Sequence, residues 1–264
     1  MCLIAWNWQP QNATRLLLLS NRDEFYARPT LPLHWWDSAQ NGTKILAGKD
    51  SQAGGTWLGI SRTGRMAALT NFRSGTPQRT DAPSRGELVA GFLHSELSAS
   101  AYLQQLAPHC AAYNPFNLLV FDGQQLMGLE SRGAKLLTLA QGLGAVSNAG
   151  FQTPWPKLTQ LRSGLAAQAL VDDTPDLRRF LPLLHDRSLA PDSALPKTGV
   201  PLELERALSA VFITTPGYGT RASSVIALHQ SRAEFLEQSF GPQGLIGETQ
   251  QQFVFEADTF AAGA

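Results

Sequence analysis

Two apolar runs stand near the start of the chain, CLIAWNW at 2–8 and TRLLLLS at 14–20, separated by QPQNA. Pro10 and Asn12 of that spacer suit a turn. Both runs have the length of a strand. Leu16–Leu19 is apolar at every position, whereas a strand with one wet face would alternate. A strand covered above and below requires a layered fold. With the hairpin centred near Gln11, residue 2 pairs with residue 20, and Arg22 and Asp23 fall just beyond Cys2.

Further strands are expected from TWLGI, RMAALTN (after a turn at Arg62-Thr63-Gly64) and a meander of NPFNLLVFDG, QLMGLES, AKLLTLA and GLGAVSN. AVFITTP, ASSVIALH, AEFLEQSFG and QQFVFEA close the chain. Helices are expected over SRGELVAGFLHSE, with Ser84 as N-cap and Glu87 as its capping-box partner, and over SASAYLQQLA. Residues 155–208 read mostly as helix, broken by a loop at Pro191 and Pro196. No linker or repeat divides the 264 residues, so one α+β domain with two packed sheets over 1–264 is expected.

The hydrophobic fraction of 43% against 16% charged residues supports a large core and argues against disorder. Equal numbers of basic and acidic residues, 21 each, leave no positive footprint for nucleic acid. Zero net charge also gives little colloidal repulsion, which agrees with a homo-oligomer. LLLLS is too short to span a bilayer and LIAWNW lacks a basic lead, so cytoplasmic residence without membrane insertion is expected.

The two cysteines, Cys2 and Cys110, make no disulfide scaffold. Cys2 is either a small apolar filler or a nucleophile. Removal of the preceding methionine would leave a thiol and an α-amine on one residue. That amine, with an ordinary pKa of about 7.7, could take up the thiol proton, and a nearby arginine would favour the thiolate. The cluster Arg22-Asp23-Glu24 ends an otherwise apolar strand. Arg22 is placed to act on the thiol and Asp23 to orient the amine, while Glu24 points away, towards an ion pair with Arg28.

MCLIAWNW, SNRDEFYARPT, AGKDSQAGGTWLGIS, LTNFR, VSNAG and YGTRASSVI, taken in order, resemble the transport-and-Golgi-organisation family, also called the NRDE family after Asn21-Arg22-Asp23-Glu24. The resemblance covers essentially the whole chain. It implies a four-layer α/β/β/α sandwich like that of N-terminal nucleophile hydrolases, and a distant likeness to bile-salt hydrolases and penicillin V acylases. Those enzymes attack an amide carbonyl with the cysteine after the initiator methionine. Carried over by motif, Cys2 matches the nucleophile and Arg22 and Asp23 its flanking pair. Asn71 and Asn148 resemble asparagines of the substrate and oxyanion region, and Arg221 a second active-site arginine. An oxyanion donor is worth roughly 3–4 kcal/mol in the transition state. Each asparagine also reads as a turn residue or buried backbone cap, and Arg221 as a cap on the sheet edge.

The implied activity is hydrolysis of a non-peptide C–N bond in a small amphipathic molecule, with no cofactor. The family resemblance also implies a second class, a haem-binding or acyl-lipid carrier with a disused nucleophile site. Haem would be held reversibly, since no Cys-x-x-Cys-His run is present. His34 beside Trp35-Trp36 reads as a rim histidine against aromatic packing in preference to a haem contact. The five histidines are scattered, so no metal site is expected. GKDSQAGG lacks the order of a phosphate loop, and no Gly-x-Gly-x-x-Gly follows a strand. Gly54 and Gly55 suit tight turns or a close ligand approach, and Trp57 an apolar pocket wall.

Overall fold

The computed structural model describes residues 2–37, 43–169 and 176–256. The chain opens with the hairpin β1 (Cys2–Trp8) and β2 (Thr14–Phe25). There follow β3 (Thr30–Trp36), β4 (Ile45–Asp50), β5 (Leu58–Ser61) and β6 (Met66–Asn71). Two helices come next, α1 (Gly86–His94) and α2 (Ala99–Leu106). Then come β7 (Phe116–Phe121), β8 (Leu126–Glu130), β9 (Lys135–Thr138) and β10 (Gly142–Val146). The helical stretch holds α3 (Pro156–Ala169), α4 (Leu181–Leu184) and α5 (Leu202–Ala207). The chain closes on β11 (Thr214–Thr215), β12 (Tyr218–His229), β13 (Arg232–Gly241) and β14 (Gly244–Val254).

One sheet is a simple meander, β3 to β9 in sequence order. The other joins the start and end of the chain in the order β10-β1-β2-β12-β13-β14, with β11 beside β12. Both are antiparallel. The period-2 alternation of β2 accounts for its double-sided apolar run. Leu16 and Leu18 enter the core between the sheets with Ile4, Trp6, Ile60 and Leu119. Leu17 and Leu19 face the other way, onto Leu158, Leu161 and Leu165 of α3. On the far side, Ala67 and Leu69 of β6 pack with Leu88, Val89 and Phe92 of α1. Three apolar interiors separate four layers, helix, sheet, sheet, helix, as expected. Among the described residues, no helix is long and apolar enough to cross a membrane.

Several local expectations are corrected. The first hairpin pairs Cys2 with Arg22, not residue 20. The closing bonds Gln9 N–H to Arg15 carbonyl and Asn12 N–H to Gln9 carbonyl centre it one residue further on. β10 leaves the meander and pairs with β1 in the other sheet. The capping box does not form: Ser84 Oγ accepts from Gly86 N–H at 3.3 Å, while the Glu87 carboxylate accepts from the Tyr113 hydroxyl at 2.6 Å. Only Thr214–Thr215 of AVFITTP is strand. Of the two uses expected for the glycine pair, the backbone one is seen: Gly54 turns at φ +78°, and a Cβ on Gly55 would lie 2.4 Å from Gly86.

Candidate active site

At the end of the first hairpin a cleft of about 1110 Å³ opens, with Cys2, Arg22, Asp23, Trp57 and Asn71 among its lining residues. The antiparallel register sets Cys2 directly across from Arg22, so both project into the space between the sheets. The Arg22 guanidinium lies 4.2 Å from the Trp57 ring centroid, donates to Thr30 Oγ1 at 3.1 Å, and approaches Asp50 Oδ2 at 3.6 Å. Glycine at 48 makes room for Trp57, since a Cβ there would sit 2.4 Å from the indole. Arg28 shares Asp50, with Nε at 2.6 Å. Glu24, expected to pair with Arg28, instead accepts from the Phe25 N–H.

Asp23 projects to the opposite face of β2, towards α3. Thr220 Oγ1, on the neighbouring β12, donates to its Oδ1 at 2.8 Å. Lys157 Nζ, in the first turn of α3, lies 3.8 Å from its Oδ2. Burial raises the Asp23 carboxyl above its ordinary range against the pull of Lys157, and lowers the Lys157 ammonium to about 8 against the pull of Asp23. A dry site penalises both charges, and each is the other's compensation. The Cys2 thiol is also raised, by burial, with Asp23 adding to the effect and Arg22 opposing it. Cys2 is therefore a thiol at rest and needs a proton acceptor before it can attack.

The two asparagines divide. Asn71 ends β6 and lines the cleft. Asn148, fully buried, donates through Nδ2 to the Cys2 carbonyl at 3.3 Å and to the Asn71 carbonyl at 2.9 Å. It thus ties the two sheets together as a backbone cap. The transfer of β10 to the edge beside β1 brings it there. Arg221 does not join the cluster. It is the extra residue of a bulge between Thr220 and Ala222, which turns its side chain aside. Its guanidinium caps the carbonyls of Phe25, Tyr26, Arg28 and Phe240 and lines a separate pocket of about 170 Å³. Asn21, the first letter of the motif, holds the Leu184 and Val211 carbonyls. His34 bonds the Pro32 carbonyl beside Trp36, outside the cleft.

Three buried charged residues near the site have no motif of their own in the sequence: Lys157, Arg73 and Glu205. Arg73 Nη1 meets Glu205 Oε2 at 2.7 Å with both side chains buried, and its guanidinium lies over Trp155. Lys157 was readable in one respect, since it is in helical phase with buried Leu161 and Leu165. Arg73 closes the LTNFR segment and carried no such sign.

The first hairpin thus places Cys2, Arg22 and Asp23 at a cleft framed by both sheets. The family model for Transport and Golgi organisation 2 matches residues 1–242. The chain belongs to the Transport and Golgi organisation 2 family. It is 36% identical over 245 residues to the Transport and Golgi organization protein 2 homolog of Bos taurus, covering 86% of this chain and 88% of that protein. The human homolog gives 36% over 248 residues with the same coverage. Among solved structures, a variant of the conjugated bile acid hydrolase from Clostridium perfringens aligns over 97% of both chains at 11% identity and TM-score 0.49. A likeness at that level carries no reaction over to this member of the Transport and Golgi organisation 2 family, whose chemistry has to be argued from its own cleft.

Proposed function

We propose that this cleft is the active site of a cysteine-centred amidohydrolase acting on a non-peptide C–N bond of a small amphipathic molecule, in the cytoplasm. The observation that carries the reading is the Cys2–Arg22 pairing at the cleft floor with Asp23 next in line. Once the preceding residue is removed, the Cys2 α-amine takes the S–H proton and the sulfur attacks the amide carbonyl carbon. Asn71, at the cleft wall, is the better placed of the two asparagines to donate to the oxyanion, since both amide hydrogens of Asn148 are spent on carbonyls. Collapse breaks the C–N bond, the α-ammonium gives its proton to the departing nitrogen, and water then hydrolyses the thioester.

The cleft also supports a substrate class. Five arginines line it, 22, 28, 73, 85 and 132, against the carboxylates Asp23, Glu24 and Asp50. Arg85 donates to the Pro115 carbonyl and Gln78, Arg132 lies over Phe72, and neither meets a carboxylate among the described residues. With Trp57, Phe72, Leu204 and Leu208 as apolar wall, the fit is an acyl amide bearing an anionic group. Haem fits less well. Among the described residues, none of the five histidines and no methionine lines the cleft, and Cys2 and Tyr218 are the lining side chains there that could reach an iron.

The test is turnover of N-acyl amides with anionic and neutral head groups by wild type and Cys2→Ala, with intact mass recording the N-terminus. Hydrolysis by wild type alone, on a chain that begins at Cys2, is expected. Equal turnover by Cys2→Ala would exclude Cys2 as the nucleophile.

A further inference from the structure

A lysine in the wall of the core is an expensive choice. Lys157 is 1% exposed, sits in the first turn of α3 beside buried Leu158 and Leu161, and has no hydrogen-bond acceptor at Nζ among the described residues. Its ion pair with Asp23, at 3.8 Å, is longer than a hydrogen bond. An apolar side chain of the same volume would pack here without that desolvation penalty. Asp23 lies one position beyond the Cys2–Arg22 pair, level with the place where β1 begins, so an α-amine on Cys2 would emerge against it.

Three buried cations lie around the cysteine, each beside an anion, while Arg28 shares Asp50 and Arg85 of the cleft also acts on Cys2 without a carboxylate of its own among the described residues. Arg22 from β2 has Asp50 of β4. Arg73, following β6, has Glu205 of α5. Lys157 of α3 has Asp23 of β2. Tyr218 of β12 is held neutral by burial. Glu24, next along β2, is partly solvated at the cleft side. The Lys157–Asp23 pair is neutral wherever its proton resides, so Asp23 offers no net negative charge to an ammonium beside it.

We propose that Lys157 is a positioning residue which, through Asp23, keeps the α-amine of processed Cys2 in its proton-accepting form. The inference rests on the amidohydrolase reading. Without Lys157, Asp23 would pair with the α-ammonium instead, and the amine would enter the reaction already carrying the proton it must accept. One uncompensated charge about 5 Å away at an effective dielectric near 20 moves such an equilibrium by roughly two pH units.

The two cysteines make the test specific without any substrate. Selective ¹³C,¹⁵N-cysteine labelling gives two residues to follow by NMR, with Cys110 as internal reference. The Cys2 Cα shift is titrated from pH 5 to 10 in wild type, Lys157→Met and Lys157→Arg. The wild-type amine is expected to titrate below its ordinary value of about 7.7. Lys157→Met should raise the midpoint by roughly one to two pH units, with an equal upward move in the acidic limb of hydrolysis, and Lys157→Arg should restore it. A Lys157→Met midpoint that coincides with wild type overturns this inference alone. A wild-type midpoint at or above 7.7 overturns it even if Lys157→Met does not fold. Retention of the residue before Cys2 removes the amine and overturns the amidohydrolase reading with it.

Discussion

Glu237 offers a test of the electrostatics of this interior that is independent of any substrate. It projects from β13 into the gap between the sheets, 2% exposed. Its Oε1 accepts the backbone N–H of Leu33 at 2.7 Å, so a single carboxyl bridges one sheet to β3 of the other. Burial pushes its pKa from 4.5 up to about 7, with the Leu33 N–H and Arg22 opposing. In the unfolded chain the group ionises near 4.5, so between that pH and 7 the folded state binds the extra proton. Its contribution to stability is therefore full below 4.5 and is lost as pH rises through 7. Integrated between pH 5 and pH 8, the loss from this one group is about 2.5 kcal/mol. Glu237→Gln keeps an oxygen for the Leu33 N–H and carries no charge at any pH. In urea unfolding followed by tryptophan fluorescence, the stability of the variant relative to wild type should rise by about 2.5 kcal/mol between pH 5 and pH 8. A difference that is flat across this range, or that favours wild type as pH rises, would refute the claim that Glu237 is protonated in the native interior.

Two further perturbations probe the charges and shape around Cys2. Arg73→Met strands Glu205 inside the protein, so a loss of about 3–5 kcal/mol in urea unfolding is expected. Adding Glu205→Gln should recover most of it; no recovery would mean that the arginine acts through packing on Trp155. Gly48→Ala places a methyl against Trp57 and is expected to cost about 1–3 kcal/mol. Because Arg22 lies on that indole, the same variant should change the alkylation rate of Cys2 while leaving Cys110 as it was.

The layered architecture was legible because Leu16–Leu19 carries two apolar faces on a single strand, which only a covered sheet accommodates. The pairing of Cys2 with Arg22 was legible to within two residues; the turn geometry around Gln9–Arg15, not hydrophobic pattern, settles the rest. What sequence could not supply was long-range placement. GLGAVSN looks like one more strand of a meander, and nothing local says that β10 crosses to the other sheet and brings Asn148 under Cys2. YGTRASS reads as a turn leading into a strand at Ala222, with Arg221 either facing a pocket or capping the sheet edge; the strand in fact begins at Tyr218, and Arg221 is a bulge residue that caps four carbonyls. Arg73 and Glu205 are 132 residues apart, and ion pairs of that kind leave no periodic trace.

If Cys2 is the nucleophile proposed above, the charge arrangement lets an apolar interior hold its sulfur without spoiling the fold. Cys2, Arg22, Asp23, Arg73, Lys157 and Glu205 are all buried, and any one of the charges alone would cost several kcal/mol. Arg73 with Glu205 and Lys157 with Asp23 are paired one to one, and Arg22 shares Asp50 with Arg28, so each buried cation around the thiol has an anion beside it. Burial then favours the protonated sulfur, the less nucleophilic form. Under the amidohydrolase reading, the acceptor for the S–H proton is the α-amine that appears when the chain is processed at Cys2. Activation would thus be tied to maturation of the terminus, and a chain still carrying a residue ahead of Cys2 should alkylate at neutral pH no faster there than at Cys110, which is also buried and raised.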